Sequence, residues 1–543
     1  MSLTMYRNGS VYSAADPFAT AMLVDSDVVA WVGSEHAAGS LLDSRMREVN
    51  LGGALIAPAF VDSHVHLTET GLALTSLDLS AARSAREVLD LVAGAAAAAG
   101  GLLLGHSWDN AAWPDPVLPT ADELDRAAGG REVYLARVDV HSGLVSAALA
   151  QRLGLAQLPG WDGAGLVSGL AHKSARDGAR TLAPQQLAAV QRSALKHAAA
   201  QGYVGLAEMS APHVGSVADL ASLMALSAAD AGEALPQVLP YWGQLVSDAA
   251  QAREVVAELA AAGIDILGLA GDINIDGSLG SRSALLREPY ADAPDSYGTA
   301  HLTVDQVAAH FAATSELGLS GGFHVIGDGA MDIAVAALEQ AAGAVGIDAL
   351  RAAGHRLEHA MMVDGAALEA LAKYSVGVSL QPAFDAHWGG TEGMYAQRLG
   401  APRAATVKAV AKFYGAGVPV FFGSDAPVTA LSPWASIRAA LNHSEPGSRI
   451  SARAAFIAHT RAGWRAAKEP NFMQGQLAAG APASFAVWDV EELMVQVADE
   501  RVQSWSTDPR ARTPLLPALD TGSDPRCLQT VHRGRELYAS GDF

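Results

Sequence analysis

The chain has 543 residues, half of them hydrophobic, and carries 57 acidic against 36 basic side chains for a net charge of −21. That length supplies a large core and more than one domain, and the acidic balance argues against nucleic acid or anionic membrane as partners, since both select a basic surface. The single cysteine, Cys527, leaves no internal disulfide and fits a reducing compartment. Met1 to Ser10 lacks a signal pattern and no apolar run is long enough for a bilayer, so a cytoplasmic protein is expected.

Residues 1–53 alternate apolar and polar side chains, as in Ala21-Met22-Leu23-Val24 and Val28-Val29-Ala30-Trp31-Val32, which predicts short strands. The apolar run Ala54–Ala57 then reads as a buried strand leading into Phe60-Val61-Asp62-Ser63-His64-Val65-His66. Residues two apart on a strand share a face, so His64 and His66 are placed to grip one metal ion together. From Ala54 onward short apolar runs alternate with amphipathic Ala- and Leu-rich stretches, the pattern of βα units on a parallel sheet. The runs begin at Ala54, Tyr203, Gln237, Ile264, Gly321, His355, Ser375 and Val418, about the number that closes a parallel barrel.

The predicted fold class is therefore α/β, a (β/α)8 barrel over residues 54–474. Residues 75–180 are too long for a βα connection, and they predict an inserted subdomain that could cover the barrel mouth. Within it, the alanine-rich stretch Ala93–Gly101 is expected to be helical. After Gly475 the chain is strand-like again, through Ala483–Asp489, Arg501-Val502 and Gln529–His532, so residues 1–53 and 475–543 are expected to pair into one discontinuous β-domain. Three further strands end in a metal-compatible side chain, at His324, His359 and Asp425. With His64 and His66 they fall on predicted strands one, five, six and eight, at the C-terminal mouth where such barrels keep their chemistry.

These residues, taken together, resemble the amidohydrolase superfamily and within it the YtcJ-like branch, amidohydrolase family 3. The resemblance runs nearly end to end. It is carried by Phe60–His66, by Asp276-Gly277-Ser278-Leu279-Gly280-Ser281-Arg282-Ser283-Ala284 with Glu288-Pro289-Tyr290, and by His324-Val325-Ile326-Gly327-Asp328. It also rests on Arg356-Leu357-Glu358-His359-Ala360, Gln381-Pro382, Gly423–Val428, and, in the insertion, Gly105–Asp109 and Asp139–Ser142. It implies a metal-dependent barrel hydrolase with a flanking β-sandwich, acting on C–N bonds of non-peptide or cyclic amides.

Two positions depart from the branch. Many members carry a lysine, carboxylated to bridge two metals, four residues before the Asp-Gly-Ser motif; here Asp272 stands there, with the same charge on a shorter stem. Glu208, at the end of strand two, is either a compensating metal ligand or one half of an ion pair. Ala59 replaces a usual glycine. The expected ligands are thus His64, His66 and Asp425, with Asp272, His324 and His359 completing that site or holding a second ion. One or two divalent ions are expected, zinc first, with iron, manganese, cobalt or nickel as alternatives.

A bound ion would acidify a water and polarise the scissile carbonyl, and Asp425 is the expected general base. Expected substrate contacts are Trp108 and His141 in the insertion, Arg282 and Tyr290 after strand four, and His387 and Trp388 in a lid-like loop after strand seven. The expected partner is a small molecule, and a homodimer would be ordinary for such a barrel. Lactone or ester hydrolysis, and a metal-binding protein without turnover, are the competing readings.

Overall fold

Eight parallel strands form the central sheet of the computed structural model: β1 (Phe60–Val65), β2 (Tyr203–Ser210), β3 (Gln237–Trp242), β4 (Gly268–Leu269), β5 (Ser320–Val325), β6 (Arg356–His359), β7 (Gly377–Leu380) and β8 (Val420–Phe422). The structure describes all residues except 1–2, 98–101, 181, 229–230, 408, 497–504, 507–513, 521–522 and 543. Each strand pairs in parallel with the next in chain order, and a parallel bridge from Val65 to Ala426 joins β1 to the end of β8. Nearly every strand residue is buried, because helices cover the outer face and side chains fill the barrel.

The run beginning at Ala54 is not the first barrel strand. Leu55–Pro58 pairs antiparallel with Phe485–Asp489 and parallel with Ser10–Val11, so it belongs to a flanking sheet, and β1 starts after it at Phe60. An apolar run records that a strand is buried on both faces; it does not record which sheet takes it. The chain passes from one sheet to the other across Ala59 alone.

Both chain ends build the flanking β-domain. One sheet joins Leu3–Arg7, Ala21–Asp25, Val28–Gly33 and Arg47–Asn50; the other joins Ser10–Val11, Leu55–Pro58, Phe485–Asp489, Arg526–His532 and Arg535–Ala539. Tyr6, Val24 and Val29 from the first meet Ile56, Phe485, Val487 and Leu528 from the second in one apolar layer. Cys527, on Arg526–His532, is buried in the core shared with the barrel and is not in a disulfide, and burial pushes its thiol up to about 11. The expected strand at Arg501-Val502 lies outside the described residues.

Between helix α1 (Leu67–Thr75) and β2, the insertion forms its own five-stranded sheet from Leu77–Asp78, Leu103–Trp108, Val133–Arg137, Ser142–Val145 and Leu166–Ser168. Its helices include Ala85–Ala96, which takes up the start of the alanine-rich stretch, and α2 (Gly169–Ala179). Among the described residues no single helix is long and apolar enough to cross a membrane.

Candidate metal centre and active-site cavity

At the C-terminal mouth of the barrel, β1 and the turn into α1 present His64 and His66, both buried. Asp425 follows β8 and Asp272 follows β4. His64 Nε2 lies 3.4 Å from Asp425 Oδ1 and 3.7 Å from Asp272 Oδ1, while His66 Nε2 lies 3.4 Å from the same Asp425 oxygen and 3.1 Å from Asp272 Oδ2. Two sets of donor atoms converge to within 4.8 Å: His64, His66 and Asp425, and His64, Asp272 and His359. His64 Nε2 and Asp272 Oδ1 are buried with no hydrogen-bond partner, an arrangement that costs free energy unless a cation completes it. The residues therefore fit a divalent ion in both donor chemistry and spacing.

The backbone at the strand ends helps to aim these groups. His359 and Asp425 have φ of +70° and +56°, left-handed values uncommon for residues other than glycine and concentrated at functional sites. His359 Nδ1 lies 2.9 Å from Gln381 Oε1, which orients the ring. His324 stands beside the cluster, its ring centre 4.5 Å from that of His359. Its Nε2 lies 3.2 Å from the Gly277 carbonyl oxygen, and it belongs to neither convergent set.

The electrostatics match an assembly of anions and imidazoles held out of water. Burial opposes a charged His64, but Asp425 and Glu358 outweigh it and hold the imidazole up to about 10. Burial likewise opposes ionisation of Asp272 and Asp425, and the neighbouring imidazoles overcome it, keeping both carboxylates well below the usual range. His324 goes the other way: burial and the nearby His359 lower it to about 3, so it is neutral.

Several groups behind the cluster carried no role in the sequence reading. Glu358 Oε2 accepts from His64 Nδ1 at 2.7 Å, so the other ring nitrogen faces the mouth. Arg356 is fully buried, pairs with Glu358, and donates to the Ser63 carbonyl at 2.6 Å. Asp62 accepts the His64 and Ser424 backbone N–H groups at 3.0 Å each, tying β1 to the turn after β8. The available signal was a carboxylate inside an apolar strand, as in Val61-Asp62 and Leu357-Glu358, because such a group must find buried partners.

The cluster opens into a cavity of about 540 Å³ whose wall includes His141, Arg176, Ser278, Met361, Phe384 and Trp388. His141 and Trp388 thus lie where they were expected, His141 from the insertion and Trp388 at the end of helix α3 (Ala383–Trp388). The other expected contacts are not in the wall. Trp108 is buried in the insertion with its indole N–H on the Leu135 carbonyl at 2.9 Å. Tyr290 is buried and donates to the Ala284 carbonyl at 2.9 Å, and Arg282 pairs outside with Asp292 at 2.7 Å. His387 sits on α3 beside Trp388 but is not part of the cavity wall. Glu208 is also outside both donor sets: its carboxylate accepts the Leu67 N–H at 2.7 Å and the Ser210 hydroxyl at 2.9 Å, capping the start of α1.

Comparison with known proteins agrees with this architecture. The model of the Amidohydrolase family matches residues 47–538. Protein LONG AFTER FAR-RED 3 of Arabidopsis thaliana is 26% identical over 522 residues, covering 89% of this chain and 87% of its own. The protein YtcJ of Bacillus subtilis (strain 168) is 27% identical over 442 residues, covering 78% and 80%. A metal-dependent hydrolase from Pyrococcus furiosus, uncharacterized in function, superposes with a TM-score of 0.68 at 26% identity over 89% of this chain and 98% of that one. The barrel and its His/Asp cluster define a metal-dependent hydrolase. The chain belongs to the amidohydrolase family, in its family 3, YtcJ-like division.

Proposed function

We propose that the protein hydrolyses a C–N bond of a small non-peptide amide or cyclic amide, using one divalent ion, zinc in the first instance, held by His64, His66 and Asp425 with Asp272 on the same ion. The convergence of the His64, His66 and Asp425 donor atoms, with His66 and Asp425 lining a large cavity, supports this reading. When bound, the ion would supply an acidified water and polarise the scissile carbonyl. Asp425 then takes the proton of the attacking water and returns it to the leaving nitrogen, a transfer an amine leaving group requires. Trp388, Phe384 and Met361 provide an apolar wall that excludes bulk water from the reacting carbonyl. His141, reaching in from the insertion, offers a hydrogen bond to the substrate. The lone buried Cys527 supports a cytoplasmic location.

A single ion is favoured because the two donor sets share His64, and its Nδ1 is engaged by Glu358, so only Nε2 is free to ligate. Plasma mass spectrometry on zinc-reconstituted protein is expected to find one equivalent, with Asp272→Ala binding it more weakly. Two equivalents, falling to one in Asp272→Ala, would overturn the single-ion assignment. A panel of matched amides, lactams, esters and lactones tests the bond cleaved: turnover of esters and lactones alone would sink the C–N assignment.

A further inference from the structure

The cavity wall carries three cationic side chains, and two are already neutralised. Arg137 pairs with Asp109, and with Asp139 at 2.9 Å; Lys173 pairs with Asp177 at 2.6 Å. The wall's other carboxylate outside the metal cluster, Glu69, pairs with Arg180. Arg176, on helix α2 of the insertion, is different. It has no ion pair among the described residues, and its Nε is buried without a hydrogen-bond partner. An unpaired guanidinium on a cavity wall suits a planar anion, because its N–H fork matches the two oxygens of a carboxylate.

Arg176 lines the same cavity as His66, Asp272 and Asp425. His213, in the same wall, lies within electrostatic reach of both Asp272 and Arg176. The cavity is thus bounded by a carbonyl-polarising centre on the barrel and one uncompensated positive charge on the insertion.

We infer that the substrate carries a carboxylate, which Arg176 receives while the scissile carbonyl rests at the metal centre. This rests on the hydrolytic reading above and narrows its substrates to anionic amides, such as N-acyl amino acids or the half-amides of dicarboxylic acids. It also assigns the insertion a purpose: one wall of the site, and the selectivity for charge, come from a segment outside the barrel.

The test uses binding by molecules that cannot be hydrolysed. Calorimetry on zinc-reconstituted protein would compare the keto acids 4-oxopentanoate, 5-oxohexanoate and 6-oxoheptanoate with the neutral ketone hexan-2-one. The best keto acid is expected to bind about 30-fold more tightly than the ketone in wild type, the size of one charge-assisted interaction. The preference is expected to collapse in Arg176→Met and to survive in part in Arg176→Lys, which keeps the charge and loses the fork. Equal binding of acids and ketone by wild type would overturn the inference. So would a preference that persists in Arg176→Met, since the carboxylate would then be sitting on the metal.

Hydrolysis of N-acetylglycine and N-acetylglycinamide by the same preparation separates the two readings. Arg176-dependent binding without cleavage of any amide sinks the hydrolytic reading alone. Cleavage of neutral amides without Arg176-dependent binding sinks this one alone.

Discussion

Asp425→Asn is expected to lower kcat/KM by about a thousandfold on whichever amide the wild type cleaves best, the range for loss of a positioned general base. The carboxylate is nearly sealed from solvent, and Oδ1 is 3.4 Å from both His64 Nε2 and His66 Nε2. Asparagine keeps the shape and an oxygen for the metal but cannot accept and return a proton at neutral pH. It also tolerates the left-handed backbone found here, φ +56°, about as well as aspartate does, so the turn after β8 survives. The measurement is steady-state kinetics at saturating zinc, with metal content and thermal unfolding followed in parallel. Full activity in a zinc-loaded Asp425→Asn protein would remove Asp425 from the proton transfer.

The second large effect is on stability. Arg356 is buried between the aromatic faces of Tyr241 and Phe421, its guanidinium 4.6 and 5.0 Å from the ring centres, and it pairs with Glu358. Despite its burial, the carboxyl of Glu358 is held down to about 2 by Arg356 and His64. Arg356→Met fills similar volume but leaves an anion in the core, so unfolding free energy is expected to fall by about 3–5 kcal/mol. Replacing the pair together, Arg356→Met with Glu358→Leu, is expected to recover most of that loss, because neither charge is then stranded.

Metal affinity should separate the two roles of this pair. In the double variant nothing accepts from His64 Nδ1, so zinc binding is expected to weaken about 10- to 100-fold even where stability returns. A double variant with wild-type zinc affinity would show that Glu358 does not orient His64. A single Arg356→Met variant with unchanged denaturant midpoint would show that the buried charge is compensated elsewhere.

Much of the site was legible in the chain because it follows from local periodicity. His64 and His66 are two apart at a strand end and must share a face. His324, His359 and Asp425 each close an apolar run in a βα repeat, which delivers strand ends to one rim of a barrel. All five gather at that rim, though His324 stays outside the convergent donor sets. Asp272 had no such local signal; only its place before the Asp-Gly-Ser motif marked it.

What the chain could not show by itself are the partners its polar groups choose across long separations. Trp108 and Tyr290 belong to telling motifs, yet each spends its donor on a backbone carbonyl, as a buried aromatic with a polar tip must somewhere. Glu208 caps a helix, and Arg282 finds Asp292. Arg176 lay in an unremarked helix until the fold turned it into the cavity.

The sequence alone therefore determined the barrel, the ring of imidazoles and carboxylates at its mouth, and the existence of an insertion, because periodicity and chain length are local properties. Only the tertiary structure decided three things: that Leu55–Pro58 leaves the barrel for the flanking sheet, that Glu358 and Arg356 brace His64, and that a cation of the insertion lines the same cavity as the metal-binding residues. Each depends on which buried group meets which, and in a low-dielectric interior that is settled by satisfying every donor, acceptor and charge at once.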